Sequence, residues 1–318
     1  MYKWQDLSKV KTVRDVNTVI KLGYSTTLIN VGEAWQERNL AHIAYDISKR
    51  KDVRVVLIAG PSSSGKTTTC KRLSIQLVLN EIWPVELSLD DYFLDREHTP
   101  RDADGKYDFE SLYALNLELF NQQLADLIAG KEVELPRYNF VTGKSEKSGE
   151  KMSLADNEVL VIEGIHALNP ELTANIPQEQ IFRIFAAPMI VYPLTKDIEL
   201  RPEDNRLLRR IIRDFKYRGN SAQATLGQWA SVRAGEKKWI LPYKKYADAT
   251  FNTGMPYEVG VIKNQAEPLL QGVPKDDAEY AKAQELLSFM TYFEKISEND
   301  VPKTSLLREF LGGSSFEY

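Results

Sequence analysis

Apolar positions along the chain follow two different spacings. Short runs read as strands at Val53–Ala59, which is apolar and β-branched, and at Trp83–Leu89, Glu158–Ile162, Ile181–Ala187 and Tyr246–Phe251. Runs this short and this continuous suit strands buried on both faces of a parallel sheet. Between them the spacing turns helical: Leu73, Leu77 and Val78 within Thr69–Asn80, then Leu117, Phe120, Leu124, Leu127 and Ile128 between a capping Asn116 and a stop at Gly130. Pro202–Gly219 and Ser221–Trp239 (Leu226, Trp229, Val232) follow the same rule. Strands alternating with helices predict an α/β fold, a mainly parallel sheet flanked by helices. Val133–Phe140 alternates like an exposed strand, and a turn at Thr142-Gly143-Lys144 with a polar run to Met152 predicts a small β-hairpin. Nearer the ends, Ser25–Val31 reads as a short strand, Glu33–Arg50 as a helix, and Asp276–Ile296 as an amphipathic helix with Tyr280, Leu286, Leu287, Met290 and Phe293. That last helix packs on the main domain or makes a dimer contact. The pattern divides the chain into an accessory segment over 1–50, or the tail of a longer parent; an α/β domain over 51–255; and a helical extension over 256–318.

Composition narrows the class without naming a function. The 318 residues are 43% hydrophobic and 27% charged, as in ordinary soluble globular proteins. A net charge of −4 provides no global basic field for nucleic acid. No apolar run approaches the ~20 residues of a membrane helix, and Met1-Tyr2-Lys3-Trp4-Gln5-Asp6 does not resemble a signal peptide. The single cysteine, Cys70, excludes an internal disulfide and reads as a small buried apolar residue. With three histidines beside it, a zinc site is not expected. Together these features predict a cytoplasmic enzyme acting on a small molecule; a homo-oligomer is left open.

The chemistry gathers around one stretch. Gly60-Pro61-Ser62-Ser63-Ser64-Gly65-Lys66-Thr67, followed by Thr68, fits G-x-x-x-x-G-K-[ST] between a strand and a helix. Gly60 and Gly65 permit backbone angles that a side chain would forbid. Successive N–H groups then turn inward as an anion cradle, and the helix N-terminus adds partial positive charge. Lys66 reaches the outer phosphates, and the Thr67 hydroxyl is the usual Mg²⁺ ligand. Two later strands end on carboxylates, Asp90-Asp91 and Glu163, at the sheet edge where ligands of open α/β folds bind. Glu163 is placed to hold Mg²⁺ directly or through water. The polar Arg96–Tyr107 stretch is long enough for a substrate loop. In Pro202–Gly219, Leu207, Leu208, Ile211, Ile212 and Phe215 share one face, while Arg206, Arg209, Arg210 and Arg213 share the other, with Arg218 near the end. Such a face is either solvated or, beside a phosphate loop, a lid that neutralises charge during transfer.

Taken in order, G-P-S-S-S-G-K-T, L-D-D-Y-F, Y-D-F, P-R-Y-N-F, V-I-E-G, R-L-L-R-R-I-I-R-D and K-K-Y-A-D resemble the uridine kinase and phosphoribulokinase group of P-loop kinases, over roughly residues 53–252. The two extensions are similar to those of longer bacterial uridine-kinase-like proteins. The resemblance implies a P-loop NTPase fold with an arginine-bearing lid, and ATP-dependent phosphorylation of a hydroxyl, uridine-like by family. It implies Asp90 as general base, Asp108 as the carboxylate holding ribose hydroxyls and Tyr138 as the aromatic at the base. Glu163 aligns with a magnesium-site carboxylate, Arg210, Arg213 and Arg218 with lid arginines, and Gln228 with a substrate-side glutamine. Two positions depart from that pattern. Gly143 stands where uridine–cytidine kinases carry a base-reading histidine, and Asn220 where they carry a second base-side arginine. Arg137, Lys144 and Arg233 are the nearby candidates to replace them. Three readings therefore stand: a nucleoside kinase, a kinase of another small hydroxyl compound such as a sugar phosphate or pantothenate-like acid, and an ATP-sensing module without turnover. Whether Asp91 shares a metal site with Asp90 is open at this level.

Overall fold

The computed structural model describes residues 10, 12–102, 104–189, 192–193 and 199–318; the opening Met1–Asp6 stretch lies outside them. Strands β1 (Val55–Ala59), β2 (Trp83–Ser88), β5 (Glu158–Glu163), β6 (Ile181–Ala187) and β9 (Ala249–Asn252) form one parallel sheet in the order β2-β5-β1-β6-β9. All five residues of the central β1 are buried, as its unbroken apolar run requires. Val56, Ile58, Val161 and Ile184 pack one way, against Leu73 and Leu77 of the helix Lys66–Val78 and against Leu40, Ile43 and Ile47. Val55, Leu57, Leu160 and Ile162 pack the other way, against Phe120, Leu124 and Leu127 of the helix Leu117–Ile128. That helix starts as its sequence predicts, with the Asn116 side chain accepting from the Leu119 N–H at 3.1 Å. The predicted hairpin is β3 (Val133–Asn139) antiparallel to β4 (Lys144–Met152). A very short pair, β7 (Tyr192–Pro193) and β8 (Glu199–Leu200), follows the sheet's fourth strand in the chain.

The ends of the chain differ from their sequence reading. Ser25–Val31 is not a strand; it opens a helix running from Ser25 to Ser48. Leu28, Ile29, Gly32, Gln36, Leu40 and Ile43 fall on its buried face, so long-range packing overrides the β-branched local composition. Gly32 gives the Tyr257 ring room to lie on this helix, since a Cβ there would stand 3.2 Å from Tyr257 Cε1. The predicted helix over Asp276–Ile296 is shorter, Tyr280–Thr291, and a second helix, Glu258–Gln271, precedes it. The apolar face of the arginine helix (Pro202–Arg218) packs into these pieces: Leu207, Leu208, Ile211 and Ile212 share a core with Ile262, Leu270, Leu286 and Met290, and with Val13, Val16 and Val19 near the N-terminus. Phe215, placed on that face by its spacing, is 53% exposed. Among the described residues no helix is long and apolar enough to cross a membrane.

Candidate active site

The carboxyl ends of β2 and β5 and the loop after β1 open into one cavity of about 850 Å³. Ser62, Ser63, Gly65, Lys66 and Thr67 line one part of it; Ser88, Asp90 and Asp91 at the end of β2, and Glu163 at the end of β5, line another. Arg213 and Arg218 line a third. The loop's geometry is imposed by contacts. A Cβ on Gly60 would fall 1.9 Å from the Ala186 carbonyl oxygen, so glycine is required there for close packing against β6. Gly65, at φ +85°, is the left-handed N-cap that turns the loop into its helix. Cys70 is buried on that helix, as its type predicts.

The carboxylates converge as the strand-end rule predicts. Glu163 Oε1 accepts from Thr67 Oγ1 at 3.1 Å and from Ser88 Oγ at 3.3 Å. Burial pushes the Glu163 carboxyl up to about 7; the neighbouring charges of Asp90 and Glu309 add to this, while Lys66 and the Thr67 hydroxyl oppose it. A hydroxyl and a carboxylate this close form an all-oxygen pair suited to a hard divalent cation. Lys66 Nζ is turned back to the Pro61 carbonyl at 3.5 Å. Asp90 is the second residue of the 3₁₀ turn Leu89–Tyr92, its N–H bonded to Ser88 Oγ at 3.2 Å. Asp91 faces the hairpin, accepting from the Tyr138 N–H at 3.4 Å, so it ties the hairpin to the end of β2.

The basic face of the arginine helix is neither solvated nor free. Arg206, Arg209 and Arg210 are buried and grip the phosphate loop from outside the cavity. Arg206 donates to the Ser62 carbonyl at 3.1 Å, Arg209 to the Ser64 carbonyl at 3.3 Å, and Arg210 to Ser62 Oγ at 2.7 Å. Further along, the buried Asp214 is the hub of a cationic cluster. It accepts from Arg213 Nη2 at 2.9 Å and pairs with Arg210 at 3.2 Å and Arg218 at 3.7 Å. Three guanidinium groups on one carboxylate leave a surplus of positive charge beside the cavity. Burial, and then the charge of Arg213, lowers the pKa of both Arg210 and Arg218.

The residues that the resemblance assigns to the acceptor are less gathered. Tyr138 is buried in an aromatic cluster, with ring centroids 5.5 Å from Phe93 and 5.0 Å from Phe140; Phe140 is the member that lines the cavity. Asp108 lies half-buried on the Pro100 loop, its carboxylate accepting from the Glu110 N–H at 3.2 Å. Gln228 is exposed on the helix Ala222–Trp239, and neither it nor Asp108 lines the cavity. Of the three basic replacements, Lys144 is held by Asp95 and Glu97 at 3.0 and 2.9 Å, and Arg233 by Glu236 at 2.6 Å. Arg137 alone of the three lines the cavity. Gly143, at φ +72°, faces Arg96: a Cβ there would stand 2.7 Å from the guanidinium carbon, and the Arg96 N–H donates to the Gly143 carbonyl at 2.8 Å.

Sequence reasoning passed over Asp214, Glu309 and Glu110. Asp214 carried a signal, since Arg210, Asp214 and Arg218 are spaced i, i+4, i+8 on one helix. Glu110 presses against Gly235, where a Cβ would come 2.2 Å from its own, and its Oε2 is shut from solvent without a partner. Burial raises its carboxyl from 4.5 to about 7, against the pull of Arg210 and Lys66. The folded protein therefore holds a proton there that the unfolded chain releases. Stability should fall as pH rises from about 4.5 to 7, by up to about 3 kcal/mol. Melting temperatures across that window should decline for the parent and change less for Glu110→Gln; equal slopes would remove Glu110 as the source.

The model of the phosphoribulokinase / uridine kinase family matches residues 55–259. A uridine kinase of Staphylococcus aureus is 29% identical over 212 residues, which span 66% of this chain and 93% of that protein. Among solved structures, a candidate fructose transport system kinase from Silicibacter sp. TM1040 aligns with a TM-score of 0.46 and 18% identity, covering 66% of this chain and 98% of the other. A possible uridine kinase from Bacillus stearothermophilus aligns at 0.41 and 21%, covering 63% and 88%.

Proposed function

The chain belongs to the phosphoribulokinase / uridine kinase family, whose members are phosphotransferases acting on a small-molecule hydroxyl, and we propose that it transfers the γ-phosphoryl of ATP to the 5′-hydroxyl of a uridine- or cytidine-like nucleoside. The observation that carries this reading is the common cavity on which the phosphate loop, Asp90, Glu163 and the Arg213–Arg218 pair all open. Phosphoryl transfer asks for alignment and charge neutralisation more than for covalent chemistry. In this reading the loop N–H groups and Lys66 hold the phosphate chain. Arg213 and Arg218, oriented by Asp214, meet the charge that spreads over the transferring group. Asp90 takes the proton of the attacking hydroxyl. Thr67 and Glu163 would hold Mg²⁺, which supplies further neutralisation of the phosphates when bound. Phe140 presents an aromatic surface at the acceptor end, backed by Tyr138 and Phe93, with Arg137 beside it.

A second reading, another small hydroxyl acceptor, is supported by the hairpin tip. The Arg96 guanidinium fills the space where the family resemblance calls for a base-reading histidine, and the second base-side arginine is Asn220. One measurement separates the two. Purified protein with Mg-ATP and a panel of nucleosides, sugar phosphates and hydroxy acids, followed by ADP release, should turn over uridine or cytidine at the highest kcat/KM. Turnover of a non-nucleoside alone would replace the first reading with the second.

A further inference from the structure

The C-terminal segment returns to the phosphate loop. Leu306 and Phe310 are fully buried in the same core as Leu73 and Leu77 of the loop helix. Leu306 closes directly on Gly65, where a Cβ would lie 2.6 Å from its Cδ2. This seat delivers Glu309, on the single turn Arg308–Leu311, into the first turn of the loop helix. Glu309 Oε2 accepts from the Thr68 N–H at 3.2 Å and from Thr68 Oγ1 at 2.7 Å. The Tyr318 hydroxyl stands 3.0 Å from the same Thr68 oxygen, and Glu309, Glu317 and Tyr318 all line the cavity.

Thr68 is the third residue of its helix, so its N–H has no intrahelical acceptor. Orphan donors of this kind, at the start of a helix after a glycine-rich loop, are what receives a phosphate. We propose that Glu309 is a resident anion in the nucleotide's phosphate cradle, a self-ligand that the phosphate chain must swing off Thr68 before it can use both donors. The inference rests on the assignment of Ser62–Thr68 to the phosphates. A helix cap is the ordinary role of a carboxylate at this position. Two observations point past that role. The carboxylate comes from 241 residues away, on a segment seated against the loop itself, and it lies in the cavity that holds Asp90 and Glu163. An anionic substrate entering there meets Glu309 both as a competitor for Thr68 and as a like charge.

The test is a calorimetric titration of ATP, and separately of inorganic tripolyphosphate, into the full chain, the Glu309→Gln chain, and a chain ending at Gly313. Glutamine keeps the shape and removes the charge. Its Kd for both ligands should fall by about 3- to 10-fold, the scale of an anion at a helix N-terminus. The shortened chain, which lacks Glu317 and Tyr318 but keeps Glu309 and the buried Leu306 and Phe310, should shift the same way by a smaller factor; if Glu309→Gln does not fold, Glu309→Ala takes its place in the comparison. An unchanged or raised Kd, with ATP still bound, overturns the proposal and leaves Glu309 as a cap while the phosphate-loop assignment stands. No ATP binding by any of the three proteins overturns that assignment, and the proposal with it.

Discussion

An Asp90→Asn protein is expected to lose at least about 10²-fold in kcat while binding ATP as the parent does. Asparagine keeps the shape of the side chain and its place at the carboxyl end of β2, so the 3₁₀ turn and its bond to Ser88 remain. What it removes is the capacity to take a proton from the acceptor. The loss should therefore fall on the chemical step and not on the phosphate cradle, which is built from the loop after β1 and the first turn of the following helix. Steady-state kcat, measured beside a calorimetric ATP titration, separates these terms. A near-normal kcat would remove Asp90 as the base and leave Asp108, now on the Pro100 loop away from the cavity lining, as the carboxylate to examine next.

How far this site is legible in the sequence depends on how local each part is. The phosphate loop is legible because its determinants are contiguous: a buried strand, two glycines, a lysine and a helix. Asp90 and Glu163 are legible because the sheet's topology puts every strand's carboxyl end on one edge, and β2 pairs with β5 so that Ser88 stands beside Glu163. The arginine helix is half legible. Its periodicity separates the faces, but periodicity does not say what a face meets. Arg206, Arg209 and Arg210 meet protein carbonyls and buried carboxylates, and only Arg213 and Arg218 reach the cavity. Partners drawn from far along the chain leave no local signal. Glu258 lies 49 residues from Arg209, and Glu309 lies 241 from Thr68. The Ser25–Val31 error has the same origin. Its threonines and branched residues favour a strand locally, and the helix is decided by distant groups such as Tyr257.

Substitution of Arg209 has the other large effect, and burial is its cause. Its side chain is fully buried, paired with Glu258 through Nη2–Oε2 at 2.7 Å, and also bonded to the Thr253 carbonyl at 2.9 Å and to the Ser63 and Ser64 carbonyls. Arg209→Met should lower stability by about 3–5 kcal/mol, because Glu258 is left as an uncompensated buried charge. Glu258→Met should do the same from the other side. The double variant, Arg209→Met with Glu258→Met, removes both charges and should recover most of that loss, since a buried ion pair gains little over apolar packing of similar volume. ATP affinity should not recover with it. The double variant lacks the guanidinium that donates to the Ser63 and Ser64 carbonyls, so the loop proposed to cradle the phosphates loses the group that fixes it from behind. Denaturant unfolding of the four proteins, each paired with an ATP titration, tests both halves. If the double variant regains stability and affinity together, Arg209 serves only to balance Glu258; if stability returns while ATP binding stays weak, the arginine helix sets the shape of the phosphate loop.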